Sequence, residues 1–137
     1  MTAFDGLLCA ALATGWIAAL IALYGRYRPL PSILTGPTIC QLEDGGCGVL
    51  FRTKEAALLG PPNSLLGSIF YPLLAAGVFL KWPPAPLLAA STFALTLTVW
   101  LGYILLSRKL ECRVCWTGHI SNLVIWLILG ARFASGR

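Results

Sequence analysis

From Leu87 to Leu106 the chain runs through twenty consecutive residues without one charged side chain. At 1.5 Å per residue such a run covers the roughly 30 Å hydrocarbon layer of a bilayer. Three further stretches read the same way. Leu7 to Tyr24 ends in the interfacial set Tyr24, Arg26, Tyr27 and Arg28. Ser64 to Leu80 is shorter and ends at Lys81 and Trp82, a snorkelling cation and an indole suited to the headgroup level. Val114 to Ala131 is closed by Arg132. Pro83, Pro84 and Pro86 predict a tight turn and then the first turn of the third helix, where proline is tolerated. The short alternating runs of a barrel are missing, and lipid leaves helices as the other way to satisfy the backbone. The fold class predicted is therefore an all-α membrane protein, a four-transmembrane-helix bundle. Both termini fall on one side. The segment from Tyr27 to Asn63 and the Ser107–Arg113 link fall on the other.

Composition excludes most other classes. Of the 137 residues 58% are hydrophobic and 11% charged, less than half of the roughly 25% charge of a soluble domain. A soluble enzyme, a nucleic-acid-binding domain and a disordered tail are all ruled out. The net charge of +5 sits in short polar stretches, so it reports membrane orientation and not a nucleic-acid partner. One domain, residues 1–137, is expected at this length. No basic residue precedes the first apolar run, which therefore reads as a retained helix and not as a cleaved signal peptide. Asp5, Glu43, Asp44, Glu55 and Glu111 all lie outside the four runs. A proton-coupled exporter normally keeps an acid at mid-membrane, so transport is disfavoured.

The connection between the first two helices is too long for a turn. It carries Cys40 and Cys47 and then Thr53-Lys-Glu-Ala-Ala-Leu-Leu-Gly60. That pattern predicts a short helix with Thr53 as N-cap, Glu55 complementing the dipole, and Gly60 with Pro61 and Pro62 as the stop. It is expected to lie flat across the bundle as a cap.

Four of the five cysteines lie outside the apolar runs. Cys112 and Cys115 are three residues apart where the fourth helix begins, so both sulfurs can share one face. The helix N-terminus, with Arg108, Lys109 and Arg113 nearby, favours a thiolate there. Cys40 and Cys47 are on the loop that emerges on the same side. A loop pair beside a helix-start pair is what passing a disulfide by thiol exchange requires. The same four residues also fit two structural staples, or a four-cysteine zinc site in a metal-binding membrane module. Cys9, near the opposite end of the first helix, reads as a small buried apolar residue.

Other polar residues surround the helix-start pair. Cys112, Cys115 and His119 form a narrow stripe on the fourth helix, with Asn122 at its edge. His119, the one histidine, is either a packing residue or a hydrogen-bond donor to a carbonyl oxygen of a buried ligand. Asn63 follows Pro62 and reads as an N-cap whose amide is also available to a ligand. Phe51, Phe70, Trp100 and Trp116 are aromatic candidates for a ring-stacking pocket.

The run from Cys40 through Cys47-Gly-Val-Leu-Phe51-Arg-Thr53, then Asn63-Ser-Leu-Leu-Gly-Ser-Ile-Phe-Tyr71, then Cys112-Arg-Val-Cys115-Trp-Thr-Gly-His119-Ile-Ser-Asn122 resembles the vitamin K epoxide reductase family, with all four redox cysteines in order. The resemblance implies a bundle around a quinone of the menaquinone, ubiquinone or vitamin K type, with no metal. It implies that Cys112 and Cys115 are the catalytic pair, with Cys115 nearest the ring. Cys40 and Cys47 would bring electrons from a separate thioredoxin-like protein, Cys47 exchanging with Cys112. Asn63 would bond one quinone oxygen and His119 the second, where vertebrate members carry tyrosine. Thr53 would stand beside the ring in place of a family serine, and Phe51 and Phe70 would contact it. The Cys40–Cys47 spacing is one residue shorter than in vertebrate members. The expected reaction is quinone-dependent protein disulfide formation, with reduction of a vitamin K epoxide or quinone as the alternative. The expected location is a prokaryotic cell membrane. Arg26, Arg28, Arg52, Lys54, Arg108, Lys109 and Arg113 on the cysteine side outnumber Lys81, Arg132 and Arg137. Charge therefore puts the cysteines in the cytoplasm, whereas the resemblance puts them on the exported side.

Overall fold

The computed structural model describes residues 2–28, 54–108 and 113–136. These form helices α1 (Ala3–Tyr27), α2 (Asn63–Phe79), α3 (Pro84–Ser107) and α4 (Arg113–Ala134), with one 3-10 turn at Lys54–Ala57 and no strand among the described residues. Helices α1, α3 and α4 are long and apolar enough to cross a membrane. At 17 residues, α2 is about 26 Å long. The short cap helix expected over Thr53–Gly60 is described only from Lys54 onward. The 3-10 turn covers Lys54–Ala57, and Gly60 beyond it has a φ of 98°, open to glycine at little cost; Thr53, the expected N-cap, lies outside the described residues.

Each helix starts and stops for a local reason. Thr2 caps α1, its hydroxyl accepting from Asp5 N–H while the Asp5 carboxylate accepts from Thr2 N–H at 2.8 Å. Helix α1 thus starts four residues earlier than the apolar run suggests, and Asp5 lies within its first turn. Helix α2 ends with Lys81 N–H on Val78 O and Trp82 N–H on Gly77 O. This pairing needs a left-handed residue, and Lys81 supplies it with φ 55°. Pro72 lies inside α2 and cannot donate to Ser68 O. The Trp16 indole N–H donates to that carbonyl instead, at 3.1 Å, so lipid never meets an unsatisfied acceptor.

Helix α1 packs against α2 and α4, and α3 packs against α4, whereas the consecutive helices α2 and α3 hardly touch. The solid core sits toward the end carrying the termini, where Leu8, Ile125 and Leu129 are fully buried beside Leu12, Leu74 and Leu87. An ion pair between Arg132 and Asp5 joins the last turn of α4 to the first turn of α1 at that end. Outward faces are as apolar as the core. Leu73 and Leu106 are more than half exposed, as a lipid-facing surface requires. Cys9, expected to be buried, is half-buried, because α1 turns that edge partly outward.

Candidate active site

The cysteine-side half of the bundle is hollow. A cavity of about 460 Å³ lies between the four helices, Ala56 of the 3-10 turn and Leu59. Its α1 wall is Gly15, Ala18, Ala19 and Ala22, the positions of one helical stripe. Gly67 of α2 and Ala94 of α3 continue that surface. A wall with almost no side chain leaves room for a flat ring, and α2 and α3 face each other across it through Phe70, Phe93 and Leu97.

The polar groups enter from two helices. Cys115 is the third residue of α4, and Gly118, His119 and Asn122 follow it along the same cavity-lining stripe. His119 is thus about 6 Å deeper along the axis than Cys115. Asn63 and Ser64 come from the first turn of α2. The expectation that Asn63 is an N-cap is corrected. Pro62 holds that position without a side-chain bond, and Asn63 is the first helical residue. It lines the cavity. Both Asn63 Oδ1 and His119 Nε2 are shielded from solvent.

Of the residues singled out from the sequence, Cys115, His119, Asn122, Asn63 and Phe70 meet at this cavity. Cys40, Cys47, Cys112, Phe51 and Thr53 lie outside the described residues. Two aromatic candidates do not line it. Trp100 points outward at 53% exposure with Tyr103 beside it, ring centroids 6.2 Å apart. Trp116 stands edge-on to His119 at 5.8 Å, supporting the imidazole from outside the cavity.

A hydrogen-bonded chain crosses the cavity and was not foreseen as a unit. Tyr71 O–H of α2 donates to Asn122 Oδ1 of α4 at 2.7 Å, and Asn122 Nδ2 donates to Thr98 Oγ1 of α3 at 2.7 Å. Asn122 was legible as the edge of a stripe. Tyr71 and Thr98 were not, since nothing in sequence separates Thr98 from Thr92 or Thr96.

A family model described as the vitamin K epoxide reductase family matches residues 7–129, which spans all four helices. The chain belongs to the vitamin K epoxide reductase family. With its membrane-length helices, it is an integral membrane oxidoreductase. Neither the search of curated proteins nor that of solved structures found a match. Cys115 of this vitamin K epoxide reductase family member thus stands at a cavity within the membrane-length helices.

Proposed function

We propose that the protein reduces a membrane quinone with electrons taken from a thioredoxin-like partner, and so drives disulfide formation in other proteins. The observation that carries this reading is the position of Cys115. It opens onto an apolar cavity with Asn63 and His119 as hydrogen-bonding groups and a glycine–alanine wall opposite. In this reading α2 is the fourth span, Cys40 and Cys47 exchange disulfides with the partner, and Cys47 passes the electrons to Cys112. The Cys112/Cys115 dithiol then gives up two electrons and two protons, closing to a disulfide, and the quinone receives both pairs as hydroquinone. Asn63 and His119 hold the two ring oxygens, and Phe70 packs beside the ring, with Phe51 and Thr53 completing the enclosure. Water exclusion by the apolar lining strengthens each of these hydrogen bonds.

Anaerobic mixing of reduced protein with a quinone, followed by absorbance, tests the proposal. Wild-type protein should reduce stoichiometric quinone in a single turnover, and Cys115→Ser should reduce none. Cys112→Ser should fail to complete the turnover. Unchanged reduction by Cys115→Ser, or stoichiometric zinc with no quinone reduction, overturns the reading.

A further inference from the structure

Serine and threonine hydroxyls in membrane helices usually return their proton to a backbone carbonyl one turn earlier. Within the described helices this holds throughout, for example at Thr14, Ser68, Thr92, Thr96, Thr117 and Ser121, with two exceptions. Ser64 and Thr98 donate to no carbonyl among the described residues, and both line the cavity. Thr98 is 8% exposed, and its oxygen is already occupied by Asn122 Nδ2 at 2.7 Å. That bond fixes the oxygen while leaving the hydroxyl proton unspent. Tyr71 in turn holds the Asn122 carbonyl oxygen at 2.7 Å, so the amide cannot rotate to relieve Thr98. A buried donor without an acceptor is costly in an apolar surrounding, and here it sits at a cavity. Asn122 lies three residues past His119, about 4.5 Å deeper along α4. The unspent donor is therefore at the far edge of the site from Cys115.

We propose that Thr98, locked by Asn122 and Tyr71, is a third polar contact for the ring and selects quinones carrying an oxygen substituent beyond the two carbonyls. The inference rests on the quinone reading above and adds substrate selectivity to it. Asn63 and His119 take the carbonyls common to every quinone, so they cannot discriminate. Thr98 donates to an alkoxy oxygen at the distal ring edge. An all-carbon ring edge leaves it unpaired.

Binding to oxidised protein, which cannot turn over, is read by quenching of tryptophan fluorescence. Two probes are compared, a decyl dimethoxybenzoquinone and a prenylated methylnaphthoquinone. Thr98→Val should weaken the dimethoxybenzoquinone roughly two- to tenfold, the worth of one neutral hydrogen bond, and leave the naphthoquinone unchanged. Thr98→Ser should restore the difference. A decyl trimethylbenzoquinone, with methyls in place of both methoxy groups, should bind wild-type protein weaker by the same factor; this arm stands even if Thr98→Val does not fold. Equal loss for both probes, or no loss for either, assigns Thr98 to helix association alone and overturns the inference while leaving quinone reduction intact. Wild-type protein that binds neither probe overturns the quinone reading and this inference with it.

Discussion

Replacing Gly15 with alanine places a methyl carbon 2.5 Å from Tyr71 Cε1 and Cζ and 2.8 Å from the Tyr71 hydroxyl oxygen. Ordinary contact begins at 3.4 Å, so the ring must retreat by about 0.9 Å. It has nowhere easy to go. Tyr71 is 5% exposed, Phe70 stands edge-on to it at 5.6 Å, and its hydroxyl is tied to Asn122 at 2.7 Å. A shift of that size along the bond stretches it beyond hydrogen-bonding range. The expected cost is roughly 1–3 kcal/mol of overpacking plus about 0.5–1.5 kcal/mol for the lost bond. Helix propensity returns about 0.5–1 kcal/mol, because alanine restricts the unfolded chain. A net loss of about 0.5–4 kcal/mol follows. Gly102 is the control. It is also mid-helix and buried, but a methyl there meets nothing within 4 Å, so Gly102→Ala should be neutral or stabilising. The assay is unfolding of micelle-embedded protein by a denaturing detergent, followed by tryptophan fluorescence. The same Gly15→Ala change is then repeated in a Tyr71→Ala background, where no ring is left to meet and the sign should reverse. A cost that persists unchanged in that background refutes the reasoning, as does a Gly15→Ala protein as stable as wild type.

The ion pair between Asp5 and Arg132 is partly exposed, with side chains 37% and 27% accessible, so a double-mutant cycle of Asp5→Asn and Arg132→Gln should give a coupling of no more than about 1 kcal/mol, shrinking with added salt; a salt-independent coupling of several kcal/mol would contradict it. Cys9 is half-buried in the second turn of α1 and does not line the cavity, so Cys9→Ser should leave single-turnover quinone reduction at the wild-type rate. Slowed reduction in that variant would place Cys9 in the electron path.

The helices were legible because hydropathy in a membrane chain depends on little beyond composition within a window. Their ends were less so. An apolar run marks where lipid starts, whereas a helix starts where its amides find a partner, and Thr2 with Asp5 supplies one, so that α1 begins at Ala3, four residues before Leu7. Within the expected cap a 3-10 turn covers Lys54–Ala57. Asparagine favours the cap position, but Pro62 takes it ahead of Asn63. Trp100 has the chemistry of a ring contact, yet α3 turns it outward, since a helix that is apolar all round shows no inward face in its sequence.

Membrane residence, four helices, and a Cys115–His119–Asn122 stripe follow from the order of residues alone, because each depends only on the local chain and the 3.6-residue period. Which helices pair was decided in three dimensions. The α1 stripe of Gly15, Ala18, Ala19 and Ala22 lets α2 come close, Gly15 against Tyr71 and Ala19 against Gly67, and also lines the cavity that opens because α2 and α3 stay apart. Likewise Thr98 differs from its neighbouring threonines because Asn122, 24 residues away, donates to its oxygen. Hydrogen bonds between helices depend on where the helices sit, and in lipid that is set by small-residue contacts and buried polar pairs rather than by any one-dimensional pattern.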